Sequence, residues 1–409
     1  MTLSNIKQKL ISLFSNNLYA MSLYARQIAG TLVLFLIARY ITVCDYGLFT
    51  SYKTLSTFIL VLANMGYESY ILVSSQNNEV QVKQKIALFI LNALLLLFIV
   101  LCALPFSCAE NKLLFGFVFV RTFLDGTFFA LILPYFQASR KLKTISVINI
   151  IYAVLIMVIA IISFVLKLSI IKFLSLNIFI GLVNFIQCSV YARIPYCNIL
   201  KNLNKAYHII DSQIISYMVI NICFILYSQI QAIFVSTQTH KESAALYFAA
   251  NTIAGVAMLL VGAQTQKLLP EFIDVSGKDV ELLLKQEVKK ICYITFSIFV
   301  FFIFLGKNIL QILYGQAYYA EAYNILLILN FANIFYAIGK IYITFIMAKS
   351  YTNVIWKMQI VSILISIITI CSTYKYGIYS AALSYLLSVL YIGYAYWKKT
   401  RQIICKQGM

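Results

Sequence analysis

The chain has 409 residues, of which 62% are hydrophobic and only 11% are charged, and its mean hydropathy is +0.89. A soluble domain is about one quarter charged and just under one half apolar, so this composition excludes a soluble enzyme and a disordered chain. The 32 Lys and Arg residues against 13 Asp and Glu give a net charge of +19. In a lipid-embedded protein such an excess collects in cytoplasmic loops, and we expect no nucleic-acid partner.

Apolar runs long enough to cross a bilayer recur along the whole chain. A helical crossing needs about 20 apolar residues, and a β-barrel would instead alternate apolar and polar residues. The runs predict twelve membrane-spanning helices: Asn17–Ile41, Leu48–Val73, Ile86–Phe106, Leu113–Phe136, Ser146–Leu166, Phe173–Ala192, Gln213–Val235, Ala244–Gln266, Val288–Leu305, Ala322–Met347, Val354–Ser372 and Ile378–Trp397.

A polar stretch from Arg193 to Asp211 separates the first six predicted spans from the last six. We therefore predict an all-α polytopic membrane protein with two six-helix lobes, residues 1–195 and 213–409, joined by a cytoplasmic linker at residues 196–212. This layout is typical of transporters built from two internal repeats.

The basic residues predict the orientation in the membrane. Those in the predicted loops lie mostly on one side, as in Arg140–Lys143 and Lys398–Arg401. The positive-inside rule places that side in the cytoplasm, and an even number of spans places both termini there. The segment Met1–Ser15 carries two lysines and no small-residue cleavage site, which favours a retained interfacial helix over a cleaved signal peptide.

No motif for catalysis or metal binding is present in the sequence. The nine cysteines form no Cys-x-x-Cys pair, so we expect neither a disulfide framework nor a metal site. The two histidines, His208 and His240, lie in predicted loops, and no nucleophile elbow, His-Glu-x-x-His or phosphate-binding loop occurs. We expect a protein that is not an enzyme.

A few charged residues fall inside the predicted spans. A charge near the bilayer centre costs at least about 2.5–3.5 kcal/mol, so it normally faces a partner or a water-filled cavity. A cavity with excess positive charge attracts anions, which points to a phosphate, a pyrophosphate or an acidic sugar. The predicted cavity cations are Arg26, Lys53, Arg121 and Lys340, and the intramembrane acids are Asp125 and Glu68.

All of these residues except Arg26 also have a structural alternative. Lys53 can extend to the membrane surface, and Glu68 can lie among the lipid headgroups. Arg121 and Asp125 are four residues apart and can simply neutralise each other on one helix face. Lys340 is balanced between a cavity and local partners, whereas Arg26 has no acidic residue three or four positions away, which favours a functional cavity.

Amide side chains within the apolar runs are candidates for sugar contacts, because amides both donate and accept hydrogen bonds. Asn221, Gln229 and Asn251 in the seventh and eighth spans are the predicted contacts, and Asn149 in the fifth span is a further intramembrane amide. The alternative is an interhelical hydrogen bond, which is favoured for any single amide.

Short motifs across the chain resemble those of a transporter family. The matching residues are Ala38-Arg39, Tyr46-Gly47 with Phe49, Gly66, the stretch Ile312–Tyr318 with Ala320 and Ala322, and Pro270. With the six-plus-six layout they resemble the polysaccharide flippases of the multidrug/oligosaccharidyl-lipid/polysaccharide (MOP) exporter superfamily, and most of all the O-antigen flippases of the Wzx type.

The resemblance implies a role in lipopolysaccharide biosynthesis. It implies that undecaprenyl-pyrophosphate-linked O-antigen units cross the bacterial inner membrane by alternating access through a cationic central cavity, without a bound cofactor. It implies membrane lipids, an O-antigen polymerase and a chain-length regulator as partners. Related lipid II flippases keep arginines in their first two helices, where Arg26 and Lys53 occupy comparable places. Coupling to a proton or sodium gradient through Asp125 or Glu68 stays open.

Three alternatives remain open. A capsule or teichoic-acid precursor exporter of the same fold cannot be separated by sequence. A multidrug antiporter would need an acidic cavity for cationic drugs, and an O-antigen polymerase would need clustered acidic residues or a large extracytoplasmic loop.

Overall fold

The computed structural model describes residues 3–64, 79–106, 109–139, 141–194, 212–274, 278–316, 319–349 and 351–406. Nearly all of these residues are helical. The α-helices are α1 (Leu3–Tyr40), α2 (Val43–Asn64), α3 (Glu79–Ala103), α4 (Lys112–Thr127), α5 (Leu133–Ala138), α6 (Leu142–Val165), α7 (Ile170–Ala192), α8 (Ser212–Gln238), α9 (Lys241–Asp274), α10 (Lys278–Tyr314), α11 (Tyr319–Ala348), α12 (Thr352–Thr373) and α13 (Ile378–Lys406).

Each apolar run of the described residues falls on a helical stretch. Nine segments in the described part of the chain are long and apolar enough to span a membrane. Each of the twelve predicted spans falls on one helix or, between Leu113 and Phe136, on the stretch that contains α4 and α5. The second predicted span continues past Asn64, outside the described residues. The prediction of an all-helical, polytopic membrane protein is confirmed.

Some helices extend well beyond their apolar runs. Helix α10 begins at Lys278, whereas its predicted span begins at Val288, and α13 continues past Trp397 to Lys406. A hydropathy profile detects only the apolar part of a helix. Lys, Glu, Gln and Leu have high helix propensity, so a helix can continue through them into water. The helices therefore carry polar turns outside their apolar segments.

A π-helical segment, Phe128–Ile132, joins α4 to α5. The Leu133 N–H donates to the Phe128 carbonyl, five residues earlier. Pro134 follows immediately; proline has no N–H to donate, and its ring displaces the carbonyl four residues before it. The wider π turn accommodates that displacement.

Residues Met1–Ile41 and Leu55–Val219 form one compact unit, called unit 1. Helix α1 packs along α6, and α4 packs along α7. Asn111 caps α4, because its Oδ1 accepts the Leu114 N–H at 3.0 Å and so satisfies one of the unpaired donors of the first turn. The three helices α1, α4 and α6 carry the charged cluster described below.

Residues Thr42–Thr54 and Ile220–Met409 form a second compact unit, unit 2. Helix α11 packs against α9, α10 and α13. At the crossing with α13, a Cβ added to Gly339 would lie 3.4 Å from the Cα of Gly393. Small residues at such crossings let helix backbones approach closely, which is a main source of packing energy in lipid.

The predicted lobe boundaries stay predictions. Apart from Ser212, the predicted linker at residues 196–212 lies outside the described residues. The two units divide within α8, between Val219 and Ile220, and the first part of α2 is grouped with unit 2.

Gly47 marks a close approach of two helix starts within unit 2. It is buried in the first turns of α2, and a Cβ built on it would overlap the backbone carbonyl oxygen of Lys241 at the start of α9. A backbone atom cannot rotate away as a side chain can, so a larger residue here forces the helices apart.

We expect Gly47→Ala to destabilise the protein. Overpacking of this kind costs about 1–3 kcal/mol, which corresponds to a fall of about 2–12 °C in the thermal midpoint for a unit of this size. The measurement is thermal unfolding of the purified full chain in detergent. Gly255→Ala in α9 is the matched control, since a Cβ there meets nothing within 4 Å. Equal midpoints for the two variants would contradict the close approach.

Candidate functional site

Arg26 lies inside the span of α1 and is held by side chains from two other helices of unit 1. Its side chain is only 3% exposed. Its Nη1 donates to Oδ1 of Asn149 on α6 at 3.0 Å, and its Nη2 donates to Oδ1 of Asp125 on α4 at 3.4 Å. No acidic residue lies three or four positions from Arg26 in the sequence. Its acidic partner is Asp125, which the tertiary structure brings from another helix.

Asp125 is shared between two arginines and a tyrosine. Arg121, one turn earlier on α4, places Nη1 2.5 Å from Oδ2 of Asp125. The Tyr152 hydroxyl on α6 donates to Oδ1 of Asp125 at 2.8 Å and accepts from Nη2 of Arg121 at 2.6 Å. The predicted Arg121–Asp125 pair is therefore present and forms part of a larger network.

Aromatic rings complete the environment of Arg26. Its guanidinium carbon lies 3.9 Å from the centroid of the Tyr152 ring and 4.1 Å from that of Phe128. The faces of aromatic rings attract cations, and the attraction is strongest where water is excluded. Phe128 is the first residue of the π-helical segment, one turn after Leu124 on α4.

Helix packing beside Arg121 also depends on a small residue. Gly181 on α7 is buried, and a Cβ there would lie 3.1 Å from Cδ1 of Leu124 and 3.7 Å from Nη1 of Arg121. A glycine at this position lets α7 pack closely against α4 while the guanidinium is retained between them.

The cluster has a buried side and a more exposed side. The side chain of Asp125 is 36% exposed and that of Arg121 is 16% exposed, in contrast to the buried Arg26. Nδ2 of Asn149 is buried and has no hydrogen-bond partner among the described residues. The carboxylate of Asp125 is thus the most accessible charge of the cluster, Arg121 is less exposed, and Arg26 is the most deeply buried.

The cluster is expensive to bury. Two guanidinium groups and one carboxylate have formal charges of +2 and −1, and taking such charges out of water costs several kcal/mol per ion. Networks of this kind often stabilise a protein no more than apolar packing would. Inside a membrane, ionisable groups mark functional sites in most cases, which makes the cluster the candidate functional site.

The other predicted cavity cations lie in unit 2. Lys53 is exposed on the first part of α2. Lys340 is half-buried on α11, and its Nζ lies 4.4 Å from the centroid of the Phe224 ring on α8 and 5.6 Å from that of Tyr336. Aromatic faces thus stabilise Lys340. Glu68, the second predicted intramembrane acid, lies outside the described residues.

The predicted sugar-contacting amides also lie in unit 2. Asn221 and Gln229 are half-buried on α8, and Asn251 is exposed on α9. Asn221 precedes Phe224 by three residues, so the two share a helix face, and Nζ of Lys340 lies 4.4 Å from the centroid of the Phe224 ring. The role of these amides stays a prediction.

Sequence reasoning did not assign Tyr152 or Phe128 to the site. Tyr152 lies three residues after Asn149, which places both on one face of α6, and this spacing is a signal that the sequence carried. For Phe128 the sequence offers only Pro134, six residues later, as a sign of local irregularity.

Several solved structures share this fold. The chain is similar to a MOP-superfamily transporter from Pyrococcus furiosus, described as having a binding pocket of reverse polarity (TM-score 0.67, 10% identity, 97% of this chain and 96% of that chain covered). It is similar to an inward-facing multidrug resistance transporter of the MATE family (TM-score 0.70, 11% identity, 94% and 95% covered). It is also similar to the lipid II flippase MurJ in an inward closed conformation (TM-score 0.71, 17% identity, 95% and 90% covered).

Neither a scan against protein-family models nor a search of curated proteins gives a match. At 10–17% identity the structural similarity establishes the fold alone. The chain has the fold of MOP-superfamily transporters.

Proposed function

We propose that the protein is a lipid-linked oligosaccharide flippase. It moves undecaprenyl-pyrophosphate-linked O-antigen repeat units from the cytoplasmic to the periplasmic leaflet of the bacterial inner membrane, by alternating access and without catalysing a reaction. Both termini are in the cytoplasm. The fold shared with transporters supports this proposal, and so do the short motifs and the charge of the chain.

The observation that carries the proposal is the cluster of Arg26, Arg121 and Asp125 in unit 1. Guanidinium groups bind carboxylates and phosphates with the same planar, charge-assisted geometry. Asp125 therefore occupies the kind of position that a phosphate oxygen of the substrate would take. In the proposed mechanism the pyrophosphate competes with Asp125 for Arg121, while Arg26 supplies buried positive potential and positions the aspartate.

The same arrangement offers a route for ion coupling. If Asp125 takes up a proton, its attraction for both guanidinium groups weakens, and these groups become available to the anionic substrate. Asp125 is the most exposed of the three charged side chains, so a proton can reach it. A sodium ion at Asp125 would have the same electrostatic effect.

A multidrug antiporter is the second candidate function. The favouring observation is the partly exposed carboxylate of Asp125, because a cation antiporter needs an acid in its cavity. The fold does not discriminate, since the similarity to a MATE transporter and to a lipid II flippase is almost equal. Two arginines bound to the same carboxylate disfavour a cationic drug at that position.

The test is genetic and chemical. In a strain deleted for the gene of this chain, we expect no O-antigen on the surface lipid and an accumulation of the lipid-linked oligosaccharide; the intact gene restores display. Susceptibility to cationic drugs should not change. Single O-units on the core lipid of the deletion strain would instead indicate a polymerase. A rise in drug susceptibility with normal O-antigen would favour the antiporter.

A further inference from the structure

A large cleft lies in unit 2 between α10, α11 and α13. Its volume is about 720 Å³, within the range of about 300–1,000 Å³ that is typical of ligand pockets. It is built from the polar turns of α10 and α13 that extend beyond their apolar runs, together with the adjoining apolar turns. The cluster in unit 1 contributes no residue to it.

One end of the cleft is positively charged. Lys285 and Lys289 on α10 and Arg401 on α13 line it, with Glu281 as the single acid. Glu281 forms an ion pair with Lys285 at 2.9 Å, so Lys289 and Arg401 supply the excess charge. Thr400 also lines the cleft; its Oγ1 is buried and has no hydrogen-bond partner among the described residues.

The other end of the cleft is apolar and aromatic. It is lined by Phe296 on α10, Ile338 on α11 and Trp397 on α13. The Trp397 and Phe296 side chains are 37% and 54% exposed. The guanidinium carbon of Arg401 lies 5.1 Å from the centroid of the Trp397 ring, so the charged and apolar parts are continuous.

The spacing along α10 matches one membrane leaflet. Lys285 and Phe296 are eleven residues apart, about 16 Å along a helix, and half of a hydrocarbon core is about 15 Å thick. Lys285 and Lys289 lie in the first turns of α10, which are rich in charged residues, and Phe296 lies in the apolar stretch that follows. An occupant must therefore be amphiphilic, with an anionic head at the membrane surface and a hydrocarbon chain inside.

We propose that this cleft binds an anionic phospholipid of the adjoining leaflet, with its phosphate near Lys289 and Arg401 and an acyl chain along Phe296 and Trp397. Charge complementarity selects an acidic headgroup over a zwitterionic one, and the buried Thr400 hydroxyl offers a hydrogen-bond donor. This lipid site is independent of the transported substrate and of the proposed flippase activity.

The fluorescence of Trp397 reports directly on lipid in the cleft. The chain has only one other tryptophan, Trp356, which can be replaced. In a Trp356→Phe background, the full chain is reconstituted in phosphatidylcholine vesicles that contain a small fraction of a lipid with brominated acyl chains, which quenches nearby tryptophan. Brominated phosphatidylglycerol is compared with brominated phosphatidylcholine at the same mole fraction. Each basic side chain near an anionic lipid favours binding by about fivefold, so two excess cations predict a preference of about 25-fold.

The variant Lys285→Gln/Lys289→Gln/Arg401→Gln is expected to lose this preference. The matched control, Lys290→Gln/Lys398→Gln/Lys399→Gln, removes the same charge from neighbouring residues that do not line the cleft and should retain it. If the triple cleft variant is not monodisperse, Lys289→Gln and Arg401→Gln are tested singly, each with an expected loss of about fivefold.

Three results would overturn the proposal. Equal quenching by the two brominated lipids would show that the cleft does not select a headgroup. A preference that persists in the cleft variants, or that falls equally in the matched control, would place the selectivity elsewhere. Loss of the preference on addition of inorganic phosphate would indicate a soluble anion as the occupant, whereas a lipid site should be insensitive to it.

Discussion

Replacing Arg26 by alanine is expected to abolish O-antigen display while the protein is still inserted at its normal level. The substitution removes the hydrogen bonds to Asn149 and Asp125 and the cation packed against Phe128 and Tyr152. One charge-assisted hydrogen bond contributes about 1.5–3 kcal/mol. If its loss raises the barrier to transport by the same amount, the transport rate falls by at least about tenfold. The measurement is surface O-antigen together with the membrane level of the protein.

The fold should tolerate this substitution, because the ion pair of Arg121 with Asp125 remains. Arg26→Lys is expected to restore only part of the activity, since one ammonium group cannot reproduce the planar, two-donor geometry of a guanidinium. Arg39→Ala is the matched control, because Arg39 lies on the same helix and is exposed. Normal O-antigen with normal protein levels in Arg26→Ala would remove Arg26 from the mechanism.

Replacing Asp125 by asparagine is expected to be the more damaging change for stability. Asparagine has nearly the same shape, but both guanidinium groups then lose their shared carboxylate. Removing one partner of a buried ion pair costs about 3–5 kcal/mol, because the other charge stays buried without compensation. Thermal unfolding of the purified full chain should show a clear fall in the midpoint temperature.

A second substitution separates this electrostatic cost from a general loss of packing. Removing a whole buried pair is often close to neutral, so Arg121→Met in the Asp125→Leu background should recover part of the midpoint lost in Asp125→Leu alone. Glu271→Gln serves as the control for removal of an exposed acid and should leave the midpoint unchanged. The idea of a compensated cluster fails if the double variant is no more stable than Asp125→Leu alone.

The flippase assignment and the cluster can fail separately. Loss of O-antigen in the deletion strain, combined with full activity of Arg26→Ala, would leave the proposed function intact and place the substrate site elsewhere. Reduced stability of Asp125→Asn with unchanged transport would assign the cluster to folding.

Hydropathy determined where the helices run, because lipid admits only segments whose backbone is internally hydrogen-bonded and whose side chains are apolar. It underestimated the lengths of α10 and α13. The polar turns of these helices form because their residues have high helix propensity, and they do not raise the hydropathy. The cleft of unit 2 was therefore invisible to the sequence, although each of its basic residues could be counted.

The charged cluster shows the same division. The sequence by itself determined that Arg121 and Asp125 meet, since a helix brings together residues four apart, and that Arg26 has no partner on its own helix. Only the tertiary structure decided that Arg26 shares Asp125, a residue 99 positions away, and that Tyr152 and Phe128 enclose it. The physical reason is that local periodicity fixes neighbours within one helix, whereas contacts between helices depend on the packing of side chains from distant segments.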